Sequence, residues 1–199
     1  MTATFVLALL LNSVHISLDQ DGGLSAGQLR MAVEQIQQIW SEADIAVTAA
    51  RYGEPSAQGE AVVSLRILRV AAPPTRRGAP ILAWTVVGPS GLSQPTLIVS
   101  VPSIVALVSD SEFAGTAFTR LTNDVRDELI ARAIGRVAAH ELGHYLLQKA
   151  GHRTGGLMRP SYSARDLVGA WLHPFQVAPG DWPLLRAEVA ALARSQTGF

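Results

Sequence analysis

The segment from Asn123 to Pro160 reads NDVRDELIARAIGRVAAHELGHYLLQKAGHRTGGLMRP, and it carries the clearest structural signal in the chain. Its first half repeats apolar residues with helical spacing, and acidic residues cluster near its start, where they suit a helix N-terminus. Gly151 is a natural C-terminal stop for a helix. The pattern therefore predicts one long helix from about Asn123 to Gly151, followed by an irregular loop over residues 152–163.

Near the end of this helix, residues 140–144 spell His-Glu-Leu-Gly-His. Residues four apart lie one above the other on one helix face, so the imidazoles of His140 and His144 can converge on a single ion. Zinc prefers such nitrogen ligands, at about 2.0–2.1 Å in a tetrahedral arrangement. Glu141 is offset by one residue and can serve as general base and then acid toward a zinc-activated water. The alternative interpretation is a solvated helix face.

Two histidines leave zinc one protein ligand short, because catalytic zinc sites usually have three protein ligands and a water. His152 is the best candidate for the third ligand, since it follows Gly151, where the chain can turn back toward the helix. The alternative for His152 is an ordinary surface histidine. Three other residues could supply the third ligand in its place: Asp166, Asp181 and His173.

The stretch from His140 to Pro160 resembles the metzincin clan of zinc endopeptidases, in which H-E-x-x-H-x-x-G-x-x-H precedes a tight turn with a methionine under the metal. His140, Glu141 and His144 match this pattern directly, and Gly-Gly-Leu-Met-Arg-Pro over residues 155–160 looks like the Met-turn, with Met158 as its methionine. The text is also similar to a group of short bacterial proteins with HELGH-x-LL, a later histidine and a G-[IL]-M-R segment. The resemblance implies zinc-dependent cleavage of peptide bonds.

The chain departs from the clan pattern after the second histidine. The clan's turn glycine and third histidine would fall at Leu147 and Ala150, whereas the histidine here comes two residues later. We interpret the difference as an active-site helix extended by about half a turn. In some members of the clan a tyrosine shortly after the Met-turn approaches the metal. Tyr162 is the candidate for that role here, with ordinary packing as the alternative.

The sequence before the long helix predicts a sheet and a first helix. Ser25 can cap a helix with apolar positions at Leu29, Val33, Ile36 and Trp40. Strands are predicted at residues 5–18, Ile45 to Arg51, Ala61 to Val70, Ile81 to Val87 and Thr96 to Val101. A final helix is predicted from about Pro179 to Ala193, and Ile104 to Val108 is either a helical turn or the end of a strand.

This order of elements predicts an α+β fold, with a twisted mixed sheet packed on the first helix and the long active-site helix. Strand, helix, strands and then the active-site helix resemble the N-terminal half of a metzincin. The interpretation is a single catalytic domain over residues 1–199, with an N-terminal subdomain of about 1–151 and a small irregular and helical C-terminal subdomain of about 152–199. By analogy with the clan, Ile81 to Val87 or Thr96 to Val101 would pair with a peptide substrate.

The composition narrows the function classes further. Sixteen basic and sixteen acidic residues cancel, and the pI near 7.0 gives no electrostatic reason to expect nucleic acid or an anionic membrane as a partner. The absence of cysteine excludes disulfides, thiolate metal ligands and a cysteine nucleophile. The apolar run from Phe5 to Leu11 is too short to span a bilayer, and no basic residue precedes it. We therefore favour a buried strand over a targeting segment, and slightly favour a cytoplasmic over a secreted location.

The sequence therefore predicts a zinc metallopeptidase that acts on a peptide or protein substrate through a metal-activated water. Two alternatives remain open at this stage: a zinc-binding module without turnover, and a zinc hydrolase that acts on a non-peptide amide. Glu141 argues against the first alternative, because a purely structural zinc site does not need that carboxylate.

Overall fold

The computed structural model describes residues 12–20, 23–57, 60–72, 81–86, 95–147 and 152–196. The first part of the chain forms the elements of the main sheet and one helix: β1 (Ser13–Gln20), α1 (Ala26–Ser41), β2 (Ala46–Arg51), β3 (Ala61–Leu68), β4 (Ala83–Val86) and β5 (Thr96–Ser100). The second part is mainly helical: α2 (Val101–Ser109), the two-residue strands β6 (Glu112–Phe113) and β7 (Thr116–Ala117), α3 (Asn123–Leu147), α4 (Ala164–Val168) and α5 (Trp182–Gln196). Short 3₁₀ turns lie at Phe118–Arg120, His173–Phe175 and Pro179–Asp181.

The main sheet has five strands in the order β2-β1-β3-β5-β4. The first four of these strands run parallel, whereas β4 runs antiparallel to β5 at one edge. The predicted α+β fold with a mixed sheet is therefore confirmed. The sheet has two different edges, and the edge at β4 lies next to the C-terminal half of the long helix, through the contact of Thr85 with Glu141.

One face of the sheet shares its core with α1 and α3. Side chains alternate along a strand, so Val14 and Ile16 of β1 lie on the same face as Val63 and Leu65 of β3, to which they are registered or adjacent. All four side chains are fully buried or nearly so. They belong to one apolar cluster with residues of both helices, for example Ile36, Trp40, Ile134 and Leu142. The predicted packing of both helices on the sheet follows from this shared core.

The first helix begins where the sequence predicted. Ser25 caps α1 by accepting a hydrogen bond from the amide of Gln28, whose side chain in turn accepts from the amide of Ser25. Farther along, α1 packs so closely on α3 that a Cβ added at Gly135 would overlap the main-chain carbonyl of Ala32. Glycine at this position therefore allows the two helices to approach each other.

The structure refines several predicted elements. Ile104 to Val108 lies within α2, whose first turn contains Pro102, a position where proline is well tolerated. The final helix begins at Trp182, because the residues from Pro179 form a 3₁₀ turn first. Helix α4 was not predicted, since five residues are too few to show helical periodicity. Residues 5–11 of the predicted first strand lie outside the described residues. The same is true of Gly151 and of the predicted subdomain boundary there.

A buried arginine joins the C-terminal segment to the long helix. The side chain of Arg136 on α3 is fully buried, and burial lowers its pKa to about 10. Its guanidinium carbon lies 4.8 Å from the centre of the Phe175 ring, and no part of the residue is exposed to solvent. It donates hydrogen bonds of 2.7–3.3 Å to three main-chain carbonyls, those of Asp166, Leu167 and Trp171. Segment 164–175 is therefore held on α3 largely through its backbone.

No helix within the described part of the chain has both the length and the apolar character that crossing a bilayer requires.

Candidate metal centre

Two histidines of the predicted motif meet near the C-terminal end of α3. His140 and His144 are one helical turn apart, and their Nε2 atoms lie 3.0 Å from each other. Their rings are perpendicular, with centroids 4.6 Å apart. His140 is buried, whereas His144 is partly buried. The helical spacing thus places both ligand nitrogens on one side of α3, as the sequence predicted.

The structure brings His152 to this pair. Its Nε2 lies 3.2 Å from the Nε2 of His144, and its exposed ring stacks nearly parallel to that of His140. The three ligand nitrogens all lie within 4.8 Å of one another, and His140, His144 and His152 could therefore hold a metal ion. Two nitrogens bound to one zinc at about 2.0–2.1 Å in tetrahedral array are roughly 3.3 Å apart, so this donor set fits such an ion.

The carbonyl of Leu157 fixes the orientation of His140. It accepts a hydrogen bond of 2.6 Å from Nδ1, which assigns the proton of the neutral imidazole to Nδ1 and leaves the lone pair on Nε2. Burial, partly opposed by this carbonyl, lowers the pKa of His140 to about 4. Burial and the proximity of His144 also lower the pKa of His152. Both side chains are therefore neutral at neutral pH, the form that binds metals.

The close approach of the three nitrogens has an electrostatic consequence. Lone pairs that face each other at about 3 Å repel unless a proton or a cation lies between them. A proton on Nε2 of His144 can point toward only one of its two neighbours, His140 or His152. A cation at the centre interacts with all three lone pairs at once, so the cluster is better suited to a shared ion than to shared protons.

Glu141 is buried beside the cluster, and a threonine of the edge strand holds its carboxylate. The hydroxyl of Thr85 on β4 donates to Oε2 of Glu141 at 2.9 Å. Burial raises the pKa of this carboxyl group, although the hydrogen bond from Thr85 and the proximity of His144 oppose the rise. The sequence did not identify Thr85. Its place in the predicted strand Ile81 to Val87 was the available signal, but which face of that strand meets the helix depends on tertiary packing.

Met158 contacts the helix between the two histidines. Its side chain is buried, and a Cβ added at Gly143 would lie 2.5 Å from its Sδ. The glycine of His-Glu-Leu-Gly-His thus leaves the space that the methionine fills. The next residue back, Leu157, supplies the carbonyl that orients His140, so this turn contacts the site through both a side chain and a main-chain group.

The turn around Met158 is itself anchored to the C-terminal segment. The amide of Leu157 donates to the carbonyl of Gln176 at 2.9 Å, and the amide of Arg153 donates to the carbonyl of Met158 at 2.7 Å. Gly156 has a φ of +67°, and a Cβ there would lie 2.5 Å from the Gln176 carbonyl oxygen, so only glycine fits. Arg153 also pairs with buried Asp181, which fixes the residue next to His152.

The other candidates from the sequence lie outside the group of ligand nitrogens. Tyr162 donates from its hydroxyl to the Leu157 carbonyl, on the Nδ1 side of His140 and away from the cluster. Asp166 completes the capping box of α4 by accepting from the amide of Ser163, the N-cap residue, and it pairs with Arg159 at 2.5 Å. Burial acts to raise the pKa of Asp166, but these hydrogen bonds and the Arg159 charge outweigh it and lower the pKa. Asp181 pairs with Arg153, and His173 is exposed at the start of a 3₁₀ turn.

No model of a known protein family matches the chain, and no curated protein matches it by sequence.

Proposed function

We propose that the chain is a metzincin-like zinc metallopeptidase that hydrolyses peptide bonds in peptide or protein substrates. The observation that carries this proposal is the convergence of three histidine Nε2 atoms beside the buried carboxylate of Glu141. Three ligands leave one position of a tetrahedral ion open, as catalytic sites require. Glu141 is the residue that a purely structural site would not need.

The donor set supports zinc as the ion. Three imidazole nitrogens suit zinc and other late transition metals, whereas calcium and magnesium prefer oxygen ligands. The distances of 3.0 and 3.2 Å between neighbouring nitrogens are close to those of a tetrahedral zinc site. The Nδ1 hydrogen bond of His140 to the Leu157 carbonyl is the outer-shell contact that metal-binding histidines usually make.

Each residue of the site has a role in this reaction. When bound, zinc polarises the scissile carbonyl and activates a water molecule for attack. Glu141 takes the proton from the attacking water and then delivers it to the leaving amine. Burial raises the pKa of Glu141, which makes the protonated carboxyl easier to form and so favours the transfer.

The edge of the sheet supports a peptide as the substrate. An extended peptide can add to an exposed sheet edge through main-chain hydrogen bonds. Of the two candidate strands from the sequence, β5 already pairs with β3 and β4 on its two sides. Within the described residues β4 has only β5 as a partner, so β4 is the strand that can accept a substrate, and it lies next to Glu141.

The proposal is tested by zinc content and proteolysis of the wild type and Glu141→Gln, side by side. We expect about one zinc per chain in both proteins, because the substitution removes no ligand. We expect cleavage of casein or a peptide library by the wild type, reduced about 10²–10⁴-fold in the variant because the general base is lost.

Three results would argue against the proposal. A wild type that binds no zinc after reconstitution excludes a zinc enzyme. Bound zinc without any hydrolysis favours a binding module. Hydrolysis of small amides without any peptide cleavage favours the non-peptide hydrolase.

A further inference from the structure

The register of β4 determines which of its main-chain groups can meet a partner. The amide of Ser100 donates to the carbonyl of Leu82 at 2.9 Å, so these facing residues form a hydrogen-bonded pair. Hydrogen-bonded and non-hydrogen-bonded pairs alternate along an antiparallel ladder. With the observed register, Trp84 is bonded to β5, whereas the main-chain N–H and C=O groups of Ala83 and Thr85 point to the opposite edge.

The side chain of Thr85 faces the candidate metal centre. Its Oγ1 lies 2.9 Å from Oε2 of Glu141 and 3.4 Å from the main-chain oxygen of the same residue. Since a hydroxyl has one proton to donate, the shorter contact to the carboxylate is the stronger one. The next residue, Val86, points to the other face of the sheet and is 45% exposed.

We infer that Thr85 is a positioning residue for the base, Glu141, and joins substrate binding to it. This inference rests on the peptidase function proposed above. A glutamate side chain has several staggered rotamers, and a charge-assisted hydrogen bond to one oxygen selects among them. The same threonine contributes main-chain groups to the edge at which an extended peptide would bind. A peptide paired with β4 is thus aligned to the base through one residue.

The experiment compares Thr85→Val, Thr85→Ser and the control Thr96→Val with the wild type, all loaded with zinc. Valine keeps the shape of threonine but has no hydroxyl, whereas serine keeps the hydroxyl. Thr96 is on the neighbouring strand and faces Val86, so its substitution removes a hydroxyl from the other side of the sheet. Steady-state cleavage of one peptide substrate gives kcat and KM for each protein.

We expect kcat of Thr85→Val to fall about 10- to 100-fold, the range for loss of a hydrogen bond to a charged group. KM should stay within about twofold, because the main chain of β4 is unchanged. Serine should restore kcat to within about threefold of the wild type, since it returns the same donor. The Thr96→Val control should match the wild type.

A second readout does not depend on turnover. A peptide hydroxamate chelates zinc and also forms a hydrogen bond with a neighbouring carboxylate, so its affinity reports whether that carboxylate is in place. Calorimetry should show that the hydroxamate binds to Thr85→Val at least about fivefold more weakly than to Thr96→Val. Zinc content and thermal stability, measured on the same samples, should be equal in the two variants.

The outcomes separate this inference from the proposed function. An active wild type with unchanged kcat and hydroxamate affinity in Thr85→Val would overturn the role of Thr85 and leave the peptidase intact. Loss of zinc or of folding in both Thr85 variants would show a structural role and overturn the inference as well. A zinc-loaded wild type without peptide cleavage would overturn the proposed function, and the role of Thr85 with it.

Discussion

The histidine cluster consists of two parts that are built by different forces. His140 and His144 are brought together by α3 itself, because its 3.6-residue turn places them on one face. His152 is exposed and belongs to residues 152–163, which form neither helix nor strand. Its position depends on contacts with residues far along the chain. Local periodicity thus brings two candidate ligand nitrogens together, whereas tertiary anchoring brings in the third.

Removal of a histidine from either part should cause the largest change, a loss of zinc affinity. We expect His140→Ala to abolish stable zinc binding, a loss beyond the 10- to 100-fold that removal of an outer-shell partner usually costs. We expect His152→Ala to weaken binding less, because it removes the exposed ligand and leaves the helical pair intact. Competition with a chromophoric chelator measures both affinities. Equal losses in the two variants would contradict the distinction between the parts.

The second prediction breaks the link between the parts. Arg136→Met should lower the free energy of unfolding by roughly 3–5 kcal/mol, because three main-chain carbonyls lose a fully buried charged donor. Arg30→Met is the control, since the Arg30 side chain is 76% exposed, and it should change stability by less than about 0.5 kcal/mol. Urea denaturation of the metal-free proteins measures the difference. Similar midpoints for the two variants would show that Arg136 does not hold the C-terminal segment.

The third prediction concerns the pH dependence of the metal-free protein. Burial lowers the pKa of His140 to about 4 in the folded state, against an ordinary value near 6.5. The unfolded state therefore binds more protons between these values, and stability contributed by the neutral ring falls as the pH drops from about 6.5 to 4. Glu141 acts in the opposite direction, because its raised pKa lets the folded state bind a proton first.

The His140 contribution is on the order of 1–3 kcal/mol. Unfolding curves at several pH values, recorded with EDTA, should show a steeper loss toward acid in the wild type than in His140→Gln. His152→Gln should change the slope less than His140→Gln does, since the ring of His152 is exposed. A pH dependence of stability that changes more in His152→Gln than in His140→Gln would contradict the prediction.

The last prediction concerns the turn that supports His140. Gly156→Ala places a Cβ against the Gln176 carbonyl oxygen and requires a positive φ, so it should destabilise the protein by roughly 1–3 kcal/mol and weaken zinc binding. Gly155→Ala is its control, because a Cβ there meets nothing within 4 Å. Thermal unfolding with and without zinc compares the two variants. Equal stability would mean that the turn relaxes without cost.

The sequence predicted what depends on neighbouring residues. The Ser25 cap and the spacing of His140 and His144 follow from contacts within one or two turns of a helix. His152 was predicted from the number of ligands that zinc needs and from the chain reversal expected at Gly151. These predictions required no knowledge of how the strands are ordered.

The remaining features depend on contacts between distant segments. Sequence alone left two strands as the possible substrate edge, because the position of β4 at the edge of the sheet is decided by strand pairing. The hydrogen bond between Thr85 and Glu141 joins residues that are 56 positions apart. Arg136 carries no signal in the sequence that singles it out, and its burial depends on contacts with segment 164–175.

The exposure of His152 also has a consequence for the kinetics of metal uptake. An ion that arrives from solvent meets the exposed ring of His152 first, because His144 and buried His140 lie deeper. We therefore expect capture to begin at His152 and to end at the helical pair without a separate closing step, since the three nitrogens already lie within 4.8 Å of one another. Dissociation follows the reverse order, so the ring of His152 is the last protein contact of a departing ion.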